Sequence, residues 1–169
     1  VSGSLPSGLV YADVNNDQKM DLVLANLRSQ EITVHLGDSA GGFGAKISTP
    51  IVGTPAGLAV ADYNGDLKPD VAILNAAQSN SQILLGDGAG RFPTNRQTFS
   101  LASSSKQIVT ADLNADLKRD LLVVSNTTNS VRIYRGDGTG LFTLNTTLTT
   151  GFGPVALVVA DVNSDTRLD

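Results

Sequence analysis

The stretch Ala12–Leu24, ADVNNDQKMDLVL, decides how this chain is read. Three carboxylates and an amide, Asp13, Asn15, Asp17 and Asp21, fall within nine residues, and an apolar run follows at once. The pattern returns as DYNGDLKPD (62–70), DLNADLKRD (112–120) and DVNSDTRLD (161–169), at offsets of 49, 50 and 49 residues. A second motif keeps the same register: GDSAGGF (37–43), GDGAGRF (86–92) and GDGTGLF (136–142). Two motifs repeating together every fifty residues or so mark an internally repeated architecture.

The acids follow the repeat and nothing else. Of fifteen Asp, twelve lie in the four acidic loops and the other three, Asp38, Asp87 and Asp137, in the Gly-Asp turns; Glu31 is the single glutamate. An ordinary acidic surface mixes the two residue types and has no period.

Each repeat reads as four short strands. GLVYA, GLAVA, QIVTA and ALVVA precede the acidic loops; LVLAN, VAILN and LLVVSN follow them. A polar turn leads to ITVHL, SQILL or VRIYR, and the Gly-Asp turn leads to AKISTPI, TNRQTFS or TLNTTLT. These runs of four to seven residues are rich in Val, Ile, Leu and Thr and are bounded by Gly, Asn, Asp and Pro, which is strand vocabulary. No window keeps a helical period over ten residues. The first two strands of each repeat, apolar on both faces, are expected to be buried on both. The fourth, more polar, is expected outside.

Four antiparallel strands repeated about every fifty residues predict an all-β chain of four-stranded propeller blades. The boundaries expected are 8–52, 57–101 and 107–150, with the first strand and loop of a further blade at 155–169, about three and a quarter blades. In its D-x-N-x-D-x-x-x-D loops and G-D-G-x-G-x-F turns the chain resembles the FG-GAP or VCBS repeats, which build integrin-like β-propellers.

Crowded carboxylates need a counter-charge. Three of them about 4 Å apart repel by ~1 kcal/mol per pair in water and ~4 kcal/mol at an effective dielectric of 20. Domain stability is only about 5–15 kcal/mol. The donors are all oxygens with no His or Cys beside them, which favours a hard cation, and Ca²⁺ accepts six to eight oxygens in irregular geometry. The expected side-chain donors stand at loop positions 1, 3, 5 and 9: Asp13, Asn15, Asp17, Asp21; Asp62, Asn64, Asp66, Asp70; Asp112, Asn114, Asp116, Asp120; and Asp161, Asn163, Asp165, Asp169. Position 7 is Lys19, Lys68, Lys118 and Arg167. A cationic side chain cannot ligate Ca²⁺, so only its main-chain carbonyl is assigned there, with the side chain turned outward; the resemblance implies the same. Three to four calcium ions are expected.

An EF-hand also begins D-x-N-x-D, but it wants Gly at position 6, Glu at position 12 and two helices. Here position 6 is Gln18, Leu67, Leu117 or Thr166, and the loop closes on Asp and runs into a strand. Metal-free Asx turns are the other reading; they need one or two such residues, not three carboxylates at one spacing four times over. The Gly-Asp turns lack the Lys-Ser or Lys-Thr of a phosphate loop. They are expected to join strands three and four, with Gly at positive φ and Phe43, Phe92 and Phe142 packed between blades.

Other classes fall away on composition. The chain has 169 residues, 41% hydrophobic, no cysteine and a net charge of −4. Disulfides and thiolate metal sites are excluded. Scattered Lys and Arg speak against a nucleic-acid partner, and no run approaches the roughly 20 residues of a membrane span. The opening VSGSLPS carries no signal-peptide pattern. His35, the single histidine, reads as a strand residue. Asn126 and Asn145 lie in N-x-T sequons that matter only in a secreted glycoprotein.

Strand parity sends acidic loops and Gly-Asp turns to one rim and the remaining connections to the other. Those connections vary: 27–30, 76–80, 127–129, 51–55, 102–106 and 151–154. Varying loops on a repeated scaffold are where ligand selection is expected. The resemblance implies a calcium-stabilised module, extracellular or on the cell surface, that recognises a protein or carbohydrate on the rim away from the acids. The alternative is an accessory part of a secreted enzyme, of polysaccharide lyase or phospholipase type. With one His and one Glu, no unrepeated acid–base pair is left for catalysis. Closed propellers use four to eight blades, so the chain is expected either to be part of a longer protein or to associate with a second copy.

Overall fold

The structure, a computed structural model, describes residues 5–75, 77–102 and 104–169. Ala76 and Ser103, which belong to two of the variable connections, and most of the opening VSGSLPS stretch lie outside the described residues.

Three antiparallel sheets of four strands follow one another along the chain. The first holds β1 (Pro6–Ala12), β2 (Asp21–Asn26), β3 (Glu31–His35) and β4 (Ile47–Pro50). The second holds β5 (Gly57–Ala61), β6 (Asp70–Asn75), β7 (Asn80–Leu85) and β8 (Thr94–Ser100). The third holds β9 (Ser105–Ala111), β10 (Asp120–Ser125), β11 (Ser130–Gly136) and β12 (Phe142–Thr149). Within each sheet the strands lie in chain order, and β1, β5 and β9 are the strands that meet between sheets. This is the architecture of adjacent propeller blades, with first strands innermost. Together those three line a trough of about 450 Å³. No described helix is long and apolar enough to cross a membrane.

Burial divides the strands by place in the blade. β6 and β10 are buried at every residue, as their unbroken apolar runs require, and β2 alternates between buried and half-buried positions. The first strands are more exposed than expected, because their inner side faces the trough instead of a neighbouring blade. β4 and β12 are largely exposed, as outer strands.

Blades join by one repeated interface. Leu58, Val71, Ile73, Leu84 and Phe92 of the second blade pack on Val14, Val23, Ala25, Ile32 and Val34 of the first. Ile108, Leu121, Val123, Tyr134 and Phe142 of the third pack on Ala59, Tyr63, Ala72, Leu74 and Ile83 of the second. Polar bonds cross the same joint: Gln97 and Phe142 exchange bonds of 2.7 and 3.1 Å through the Gln97 amide and the Phe142 main chain. One repeat earlier, the corresponding face of the first blade has no described neighbour. There Leu9, Tyr11 and Phe43 are 59%, 56% and 45% exposed. The expectation that all three turn phenylalanines are packed between blades therefore holds for Phe92 and Phe142 and fails for Phe43.

The expected first strand of a further blade forms no ladder. A strand is defined by its pairing, and residues 155–160 have no strand partner among the described residues; only Ala160 exchanges main-chain bonds, with Asp169, across the loop. Leu157 and Val159 nevertheless pack on Leu122, Val124 and Val131 of the third blade, and the Leu157 N–H donates to Gln107 Oε1 at 2.6 Å. Leu157 takes the position that Ile108 holds one joint earlier, and Leu157 and Val159 those that Leu58 and Val60 hold two joints earlier.

Candidate metal centres and the opposite rim

All four acidic loops fold by one hydrogen-bond scheme. The N–H of position 6 donates to Oδ2 of position 1 at 2.8 Å in every loop: Gln18 to Asp13, Leu67 to Asp62, Leu117 to Asp112 and Thr166 to Asp161. The N–H of position 7 donates to Oδ1 of position 5, at 2.9 Å in the first three loops (Lys19 to Asp17, Lys68 to Asp66, Lys118 to Asp116) and 2.8 Å in the fourth (Arg167 to Asp165). Position 6 lies at positive φ throughout, 64°, 64°, 67° and 70°. The absent glycine, used above to set the loops apart from EF-hands, did not mean an absent left-handed turn. The Asp at position 1 holds that conformation through the N–H it accepts.

Asp at position 9 does something the sequence did not suggest. Asp21, Asp70 and Asp120 are fully buried. In each, Oδ2 accepts the N–H of position 2, from Val14 at 2.8 Å, Tyr63 at 2.9 Å and Leu113 at 3.3 Å. Oδ1 accepts the N–H of the first glycine of the Gly-Asp turn, from Gly37 at 2.8 Å, Gly86 at 2.8 Å and Gly136 at 3.1 Å. One carboxylate thus clamps the 1–2 loop to the 3–4 turn, which explains why the two motifs keep one register. Positive φ, expected for the turn glycines, applies to Gly41, Gly88, Gly90, Gly138 and Gly140 but not to this first one. Gly37, Gly86 and Gly136 are required by close approach: a Cβ there would stand 2.1–2.3 Å from the main-chain oxygen of Met20, Pro69 or Arg119.

Position 2 was also missed. Val14 and Tyr63 sit beneath their loops in the blade joints, and Tyr63 meets Phe142 edge-on with centroids 5.4 Å apart. The available signal was an apolar residue at that place in all four loops: Val14, Tyr63, Leu113 and Val162. Loops also touch across blades. Asn16 Nδ2 donates to the Leu67 carbonyl at 2.7 Å, and the Gly140 N–H to the Tyr63 carbonyl at 2.8 Å.

The electrostatics show how unevenly the charge is met. Burial, opposed by the Gly86 and Tyr63 N–H groups and reinforced by Asp66 and Asp62, pushes Asp70 up to about 6. The Lys118 N–H and the Asn114 amide hold Asp116 below the usual carboxylate range. Lys19 Nζ lies 3.5 Å from Asp17, whereas the stems of Lys68 and Lys118 lie over Gly88 and Gly138.

Among the described residues no three acidic or histidine side chains form a ready metal cage. The donor set still suits a hard cation. Positions 1, 3 and 5 carry oxygen donors in each loop, and position 9, with two N–H bonds in the first two loops, keeps unused lone pairs out of about four per carboxylate. If a cation is held, these oxygens and the position 7 carbonyl hold it. Its contribution is charge neutralisation.

The opposite rim is built otherwise. Main-chain bonds Ile51 to Gln30, Leu101 to Ser79 and Thr150 to Asn129 tie each blade's exit to its 2–3 turn. Gln30, Ser79 and Asn129 stand at positive φ of 50°, 50° and 48°. Beyond this scaffold the segments differ, and Leu27, Val52 and Phe152 are exposed there. His35, half-buried in β3, lies with Nδ1 3.1 Å from the Gly44 carbonyl.

A chain of four-stranded blades joined through buried aromatic and aliphatic faces is a β-propeller module. The FG-GAP-like repeat model matches residues 13–73, 62–123 and 112–169, and the chain belongs to that family. Two crystal structures of BBS1N in complex with ARL6DN, one soaked with lead and one with mercury, share its fold. The identities are 15% and 16% and the TM-scores 0.66 and 0.65. The match covers 95% of this chain and 48% or 49% of the BBS1N chain, so the present chain spans about half of that propeller protein. No curated protein matches the sequence.

Proposed function

We propose that the chain is a calcium-stabilised β-propeller module that recognises a protein or carbohydrate ligand on the rim opposite its acidic loops, outside the cell or on its surface. One contrast carries the reading. The acidic rim is one oxygen-donor loop written four times, whereas the opposite rim repeats only its main-chain ties, varies in sequence and exposes Leu27, Val52 and Phe152. Repetition suits a shared structural need; variation on a rigid frame suits selection of a partner. The ligands assigned to calcium are the side chains at positions 1, 3, 5 and 9 and the carbonyl at position 7. Extracellular modules hold Ca²⁺ at roughly 10⁻⁴–10⁻³ M, which fits a stabilising role in a calcium-rich medium. That the similar BBS1N propeller is itself seen with a protein bound supports a recognition role.

On the exposed face of the first blade, Leu9 and Phe43 repeat positions buried at the other joints, and Tyr11 repeats the half-buried position of Val60. We assign this face to another blade, and a second copy of the chain is one source. Sedimentation against concentration tests that source; a single monomeric boundary at every concentration removes it. Two measurements test the main reading. Chelation by EGTA is expected to lower the melting temperature, and Phe152→Ala to weaken binding on a glycan array or to a protein ligand while leaving melting unchanged. Melting curves that ignore calcium overturn the metal role. Protease accessibility on intact cells tests the location.

A further inference from the structure

The three complete loops are not equivalent. In the third, Arg135 Nη1 donates to Asp120 Oδ2, the buried oxygen that also accepts the Leu113 N–H. Arg135 stands immediately before the Gly-Asp turn. One and two repeats earlier that place holds Leu85 and Leu36, so the first two loops lack the guanidinium; Lys19 in the first loop lies 3.5 Å from Asp17, an exposed and solvent-screened carboxylate, and not on the buried Asp21. The clamp around Asp120 is also longer: 3.3 and 3.1 Å, against 2.8 and 2.8 Å at Asp21 and 2.9 and 2.8 Å at Asp70. With Leu113, Gly136 and Arg135 all donating, Asp120 has about one lone pair left, where Asp21 and Asp70 keep about two.

We infer that Arg135 supplies in cis, at the third loop, part of the positive charge that the first two loops take from a cation, and so ranks the loops by calcium affinity. The inference rests on the calcium reading above. A guanidinium is charged at every accessible pH. Held against one ligand carboxylate, it competes for that oxygen and repels a divalent ion a few ångströms away. At an effective dielectric between 20 and 80 this repulsion weakens binding by at least about tenfold. The first two loops therefore fill first, and the third loop keeps its shape at calcium levels that leave it empty.

Calorimetric titration with Ca²⁺ and luminescence titration with Tb³⁺ test the ranking. With the fourth loop silenced by Asp161→Ala, the chain is expected to show two tight sites and a third at least tenfold weaker. Asp62→Ala removes a tight site and Asp112→Ala the weak one. Arg135→Leu, which restores the residue of the other blades, brings the third site into the tight class. Leu85→Arg, the converse change, moves the second site out of it and keeps the test open should Arg135→Leu fail to fold. Three sites of equal affinity that neither substitution moves overturn the inference and leave the calcium reading standing. No ion bound to any variant overturns both.

Discussion

In the second acidic loop the Leu67 N–H meets Asp62 at 2.8 Å; in the fourth the Thr166 N–H meets Asp161 at the same distance. The turns match, and their surroundings do not. Tyr63, at position 2 of the second loop, is 2% exposed, and Val162, its counterpart, is 79% exposed. Asp70 is buried and bonds both Tyr63 and the Gly86 turn, whereas the Asp169 carboxylate is exposed and bonds Val162 at 3.1 Å with no second clamp partner among the described residues. The turn is a local product of Asx chemistry. Burial, and the energy that comes with it, is supplied by the finished blade.

The largest break in this comparison is expected from the wall behind the second loop. Phe142→Ala removes the ring that meets Tyr63 and Phe99 and should cost about 3–5 kcal/mol in urea unfolding. Phe43→Ala, at the exposed equivalent, should cost under about 1 kcal/mol. Next comes the clamp. Asp70→Ala leaves the Tyr63 and Gly86 N–H groups buried without partners, a loss of about 2–4 kcal/mol. An equal loss from Asp169→Ala would mean that the fourth loop is clamped as firmly.

On the proposed calcium reading, the effect per site is smaller: at tenfold excess over Kd a bound ion would add about 1.4 kcal/mol. Asp62→Ala should remove one such increment from the calcium-dependent rise in melting temperature.

In EGTA a pH effect should arise at Asp70. Its folded pKa of about 6 lies above the ordinary 3.8, so the folded state binds that proton more tightly. The stability this lends is full below about pH 3.8 and is lost as pH rises through about 6. The stability of wild type relative to Asp70→Asn should fall across that window, and saturating calcium should flatten the fall. The smallest effect is expected at the fourth loop, where Val162→Ser should change stability by less than about 0.5 kcal/mol.

Much of this was legible in the residues because repetition amplifies weak signals. A single VAILN run is ambiguous, but three such runs, each after an acidic loop and before a polar turn, fix β2, β6 and β10. The rim on which the loops emerge follows from strand parity alone. What was not legible depended on contacts between motifs. Nothing in D-x-N-x-D-x-x-x-D says that its last carboxylate reaches across to a glycine sixteen residues later, as Asp21 does to Gly37. Nor does it say that Gln18 or Leu67 takes a left-handed turn, since propensity argues against it and the position 1 carboxylate overrides propensity. The exposure of Phe43 and the missing ladder at residues 155–160 were hidden for another reason: repeat-equivalent residues differ in burial and pairing when their neighbours differ.

The carboxylate clamp also sets where this scaffold tolerates redesign. In each complete blade one buried aspartate staples both hairpin ends of the acidic rim, so lengthening either loop there shears two bonds at once. Between Leu27 and Gln30 no carboxylate clamp of this kind exists in the described residues, whereas within 151–154 the Gly153 N–H is held by Asn129 Oδ1 at 2.8 Å. A foreign peptide spliced between Leu27 and Gln30 inherits a rigid platform and leaves the acidic rim untouched.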